Sequence, residues 1–145
     1  MKRALPFLLA LAAAAPTPAL AQDPDIVVRA QTDRAEIERI LNADNLDTAH
    51  LSARDVVEIM SGIARGRAPE DFWDAYQLHV RAWANFAEAE EHAQPRSDGS
   101  TFAENPEQLE TAEAAIGTTF DEVERIARRY GARLPRPLVD TTRIA

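Results

Sequence analysis

Apolar side chains recur every three or four residues along almost the whole chain, the period expected of helices that bury one side. In TDRAEIERILNA, Ile37, Ile40 and Leu41 share a face, and Asp33 followed by Glu36 is a capping-box pattern, so a helix is predicted over 33–42. Upstream, DPDIVVRAQ is ambiguous, since Asp23 before Pro24 reads as a helix start while the β-branched run also suits an extended segment; weak helix is the preferred reading. After the polar stretch NADNLDTAHLSARD, Ser52 and Asp55 open a second helix over 53–65, with Val56, Val57, Ile59, Met60 and Ile63 as its stripe and Gly66 and Pro69 as its stop.

A third helix is expected over 69–93, led by Pro69. Its seam runs through Phe72, Tyr76, His79, Trp83, Phe86 and Glu90. The polar segment Pro95 to Asn105 reads as a mobile loop. Asn105 and Pro106 start a fourth helix over 106–130, apolar at Leu109, Ile116, Phe120, Val123, Ile126 and Tyr130, with a kink expected near Gly117 and a stop at Gly131. Asp121 with Arg125, and Glu124 with Arg128, have the spacing of ion pairs on a solvated face. The proline-spaced tail, 131–145, is expected to lie extended along the body. The predicted fold is all-α, a compact bundle of three to four helices in a single domain over 22–145.

The first residues change the picture. Lys2 and Arg3 precede the apolar run from Leu5 to Ala15, and Ala19 and Ala21 fit a signal-peptidase site, so 1–21 reads as a cleaved signal peptide. The run is too short for a bilayer core of ~30 Å. A periplasmic or secreted protein with no stable membrane anchor is the expectation. With no cysteine in the chain, disulfides, thiolate metal sites, iron–sulfur clusters and lipid attachment at a cysteine are excluded. Losing Lys2 and Arg3 takes the formal charge from −8 to −10, a poor balance for nucleic acid, which demands a basic surface. Arginines gather in residues 125–145, and the simplest partner for that basic end is the protein's own acidic helices.

Candidate chemistry is sparse. His79 lies on the buried seam, which favours a hydrogen-bonded core residue over an acid or base working in a cleft. A haem held by histidine and methionine would need Met60 level with His79. Counted from a turn near Arg67, the two differ by about five residues, or roughly 7 Å of helix rise. The Glu-x-x-His pattern of di-iron bundles is missing at all three histidines. Glu88 and His92, four apart, form a weak metal pair, and His50 reads as a surface residue. No HExxH, GxSxG, phosphate loop or EF-hand occurs, and no cofactor is called for.

The stretches PEDFWDAYQLHVRAW and FDEVERIARRYGARLP resemble a pattern recurring in small uncharacterised bacterial secreted helical proteins. That resemblance covers about half of the chain after residue 21 and implies a compact helical fold, with nothing on mechanism. Two functions are expected in order. The first is a non-catalytic interaction or binding module using a helical surface or the Pro95 to Asn105 loop, with an unknown protein or small molecule as partner. The alternative is a periplasmic carrier of a small ligand, haem or metal, with a pocket lined by Tyr76, His79, Trp83 and Phe120. An enzyme is not expected.

Overall fold

The computed structural model describes residues 23–93 and 106–136. The expected signal peptide, the Pro95 to Asn105 loop and the tail beyond residue 136 lie outside the described residues. Within them the protein is an all-α bundle of four helices with no strand. They are α1 (Pro24–Ala43), α2 (Ala53–Ser61), α3 (Glu70–Ala93) and α4 (Pro106–Arg129), with one short 3-10 turn, Thr48–His50, between α1 and α2.

The first helix is twice the length its apolar stripe suggested. It starts at Pro24 because Asp23 caps it, its carboxylate accepting the Asp25 amide at 3.0 Å, and proline suits the first helical position. Asp33 therefore sits inside the helix. Glu36, the other half of the expected capping box, instead pairs with Arg39 at 2.9 Å. Only the second half of α1 reaches the core, through Ile37, Ile40 and Leu41, and Ile26 and Val28 stay exposed.

The second helix begins as expected and ends early. The Ser52 hydroxyl accepts the Asp55 amide at 3.2 Å, and the Asp55 carboxylate accepts the Ser52 amide at 3.0 Å, a complete capping box. Ser52→Ala is expected to lower stability by ~1 kcal/mol in urea unfolding, because the Asp55 amide loses its acceptor. The helix stops at Ser61 rather than at residue 65. Beyond it the Arg39 guanidinium takes the carbonyls of Ala64 and Arg65, at 2.8 and 3.2 Å, and draws that backbone out of the helical ladder. Gly66 then turns the chain with φ of 59°. The left-handed φ favours glycine, and a Cβ there, 2.6 Å from the Glu36 carboxylate and 2.8 Å from the Arg39 guanidinium, would also push the clamp aside. Ile59, on the expected stripe, is exposed, while Ala53, Val56 and Met60 are buried.

The third helix is the central element, packing on α4 and on α2. Its predicted seam is real: Phe72, Tyr76 and His79 are buried, and Trp83 and Phe86 are half-buried. Val123, Ile126 and Ala127 of α4 close the core from the other side. The fourth helix runs through Gly117 without a break, and Thr119 does not restart it. The Thr119 hydroxyl bonds back to the Ala115 carbonyl at 2.8 Å instead. Arg125 pairs with Glu122 at 2.6 Å rather than with Asp121, whereas Glu124 and Arg128 pair at 2.7 Å as the spacing suggested.

The basic end of α4 is tied to the acidic start of α3. Arg129 pairs with Asp71, and the Tyr130 hydroxyl donates to the same carboxylate at 2.8 Å. Burial works to raise the Asp71 carboxyl, but the Tyr130 and Phe72 hydrogen bonds and the Arg129 charge outweigh it and hold it below its usual range. After the Gly131 turn, φ 70°, residues 132–136 leave helical structure. They run against α1: Ala132 is buried, the Arg133 amide donates to Glu38 at 2.9 Å, and Asn45 donates to the Arg136 carbonyl at 3.1 Å.

Candidate functional site

Between α2, α3, α4 and the turn after α1 lies a cavity of about 250 Å3. Helical spacing explains who lines it. His79 and Trp83, one turn apart on α3, face Ile116, Gly117 and Phe120 of α4, while Val56 and Met60, four apart on α2, form a third wall. The α1–α2 connection closes the remaining side with Asp44, Leu46 and Thr48. The walls are mainly apolar, with a carboxyl, an imidazole and a hydroxyl set into them.

Three of the four pocket residues expected from sequence, His79, Trp83 and Phe120, line this cavity. The His79 and Phe120 rings stand 5.3 Å apart, and Trp83 makes an edge contact with Phe86 at 6.1 Å. The fourth, Tyr76, lies one turn back, stacked on Phe72 and packed against Trp73, with ring centroids at 6.4 and 5.6 Å. It belongs to the core. Its hydroxyl, however, is buried without a completed hydrogen bond, and the polar group it approaches is the Asp44 carboxyl on the cavity wall.

His79 is 4 % exposed and its Nδ1 lies 2.9 Å from the Thr119 hydroxyl oxygen. The single Thr119 hydroxyl hydrogen is directed at backbone carbonyls of α4, so the oxygen accepts and His79 donates through Nδ1. This assigns the neutral tautomer protonated at Nδ1. Burial pushes the imidazole down to about 4, against a smaller opposing effect of the Ile116 backbone, so it is uncharged at neutral pH.

Asp44 is the residue that sequence reading missed. It follows α1 in a polar, turn-rich stretch, where an aspartate reads as solvated. Helices far along the chain cover it, and burial raises its carboxyl to about 7, with the Tyr76 hydroxyl acting in the opposite direction. The same burial pushes the Tyr76 phenol far above its ordinary range, helped by the Asp44 charge, so Tyr76 remains a donor at any physiological pH.

Met60 and His79, judged out of register for a shared ligand, both line this cavity. Between them α2 ends at Ser61 and the irregular link 62–69, rather than one turn near Arg67, leads into α3. The weak metal pair fares differently. Glu88 and His92 line an open groove together with Glu107 of α4, yet among the described residues no three histidine or acidic side chains gather closely enough to hold an ion. His50 is exposed at the end of the 3-10 turn.

Fold and cavity together define a small helical bundle with one carboxyl and one neutral imidazole facing an apolar hollow. Comparison of the chain with protein-family models, curated proteins and solved structures finds no match. The site is therefore interpreted from its own chemistry. No helix among the described residues is long and apolar enough to cross a membrane.

Proposed function

We propose that this chain is an exported, non-catalytic binding protein that takes a small, largely apolar molecule into the cavity between α2, α3 and α4. One observation carries the reading: three side chains expected on a ligand pocket line the same hollow, beside a carboxyl whose burial costs energy and which packing alone does not require. It favours a small-ligand carrier over a module acting through its surface. The volume is below the ~300–1,000 Å3 of sites for drug-sized ligands, so the guest is smaller than a haem. Export through a cleaved leader over 1–21, to the periplasm or beyond, belongs to the same reading and rests on the sequence pattern.

Gly117 supplies the test. It is exposed where the cavity meets solvent, and a Cβ added there meets nothing within 4 Å. Gly117→Leu should fold at least as well as the parent, since leucine is favoured over glycine within a helix by up to ~1 kcal/mol, and its side chain should occupy the hollow. Propylbenzene, titrated calorimetrically, is expected to bind the parent and not the variant. Equal behaviour of the two proteins would refute a pocket at this position.

A further inference from the structure

We infer that the guest is a small organic ammonium, a primary or secondary amine on an apolar body, with the Asp44 carboxylate as its counter-ion. This rests on the reading of the cavity as a binding pocket and names the chemistry that the pocket selects.

The charges around the hollow decide the sign of the guest. Among the described residues that line it, Asp44 is the only acid and none is an arginine or lysine. From α3 the groups near Asp44 are the Tyr76 hydroxyl and the His79 imidazole; the lining residues of α2 and α4 carry no charge. An anion would meet an acid with no cation to offset it. An ammonium meets a carboxylate, a neutral imidazole and two aromatic residues, Trp83 and Phe120, suited to attract a cation once it is out of water.

The hydrogen-bond inventory leads to the same guest. Tyr76 is 0 % exposed and its hydroxyl has no completed bond, and burial keeps the Asp44 carboxyl beside it about half protonated near pH 7. A carboxylate accepts from two donors at once, so an ammonium on the cavity side lets Asp44 ionise and take the Tyr76 hydrogen bond as well. A purely apolar guest leaves both groups unserved, and buried polar groups left unpaired are the main penalty in such pockets. The chain's formal charge of −8 further draws cations towards the protein.

Size narrows the body of the guest. A hollow of ~150 Å3 admits benzene, so about 250 Å3 leaves room for one ring and a short arm. Three probes of matched shape test this on the whole protein: 2-phenylethylamine as the ammonium, propylbenzene as its neutral counterpart and 3-phenylpropanoate as the anion. By calorimetry at pH 8 the ammonium is expected to bind at least tenfold more tightly than propylbenzene, and the anion most weakly. At pH 5.5, where Asp44 is protonated, the preference should shrink by tenfold or more. Asp44→Asn should abolish it at both pH values while leaving propylbenzene bound. If propylbenzene binds the parent as tightly as the amine at pH 8, or if Asp44→Asn keeps the preference, the ammonium inference is wrong and the pocket reading survives. If no probe binds, both fall.

Discussion

Asp44→Asn is expected to stabilise the protein by ~2–3 kcal/mol at pH 8 and to leave it nearly unchanged at pH 4. Burial raises the Asp44 carboxyl in the folded state from 3.8 to about 7, so the folded protein holds a proton that the unfolded chain has released. A group raised on folding contributes its stability in full below its unfolded value and loses it as pH rises through its folded value. The window for Asp44 is therefore pH 4 to 7. Its ceiling, a shift of about three units at 1.36 kcal/mol each, is ~4 kcal/mol. Asp44 is only half-buried, which lowers the expected figure. Asparagine keeps the shape, carries no charge and offers its carbonyl to the Tyr76 hydroxyl. Urea unfolding of both proteins at pH 4, 6 and 8 measures the difference. A gain under ~0.5 kcal/mol at pH 8 would mean that the ionised carboxylate is hydrated as well in the fold as in the unfolded chain.

A residue that costs stability when ionised, and that a neighbour in size and shape could replace, is most simply explained by what it does for a guest. Asparagine at position 44 would improve the bundle and remove its counter-ion. Such a trade of stability for binding is a common signature of a working site. The stability and binding experiments on this one variant should thus move in opposite directions.

How much of this was legible differs from one residue to the next. The α3 seam could be read because its spacing is set by helix geometry alone, and burial of Phe72, Tyr76 and His79 follows from it. The capping box at Ser52 and the turns at Gly66 and Gly131 were likewise local matters of chain chemistry. The start of α1 was legible in part: Asp23-Pro24 reads as a helix start and weak helix is the preferred reading there, but the second signal, Asp33 with Glu36, cuts one continuous helix in two. The early end of α2 depends on Arg39, a residue of another helix reaching carbonyls 25 and 26 positions away. Asp44 is the extreme case. Nothing near it in sequence marks it as part of a cavity, since the side chains that share the wall with it come largely from α2, α3 and α4, and with it the polar half of the site stayed hidden. Met60 shows the limit of counting along a hairpin, since its place on the cavity wall with His79 depends on the irregular link 62–69.

Buried His79 and half-buried Asp44 make a second result follow from the first: the parent protein should show an almost flat stability profile between pH 4.5 and 6.5, and Asp44→Asn should make it steep. His79 is lowered on folding from 6.5 to about 4, so its contribution is present above pH 6.5 and is lost as pH falls through 4. Across that window the unfolded chain carries one more proton on His79 and one fewer on Asp44. The slopes are of opposite sign and cancel. Their causes are separate, burial in each case, opposed by the Ile116 backbone for His79 and by the Tyr76 hydroxyl for Asp44. Without Asp44, acidification from pH 6.5 towards 4 should cost up to ~3 kcal/mol, from a shift of about 2.5 units. His79→Gln should give the mirror image, less stable than the parent by ~1–3 kcal/mol at pH 6.5 through a poorer fit beside Thr119, and recovering on acidification. The lowered carboxyls, Asp55, Asp71 and Glu122, begin to lose their own contributions from about pH 5 downwards, so they add a downturn only at the acid end of this window, in all four proteins alike. Replacing both Asp44 and His79 should restore a flat curve. Urea unfolding at half-unit pH intervals reads all four proteins, and a parent curve already steep across the window, or single variants that stay flat, would show that the cavity does not hold these two groups in their neutral forms.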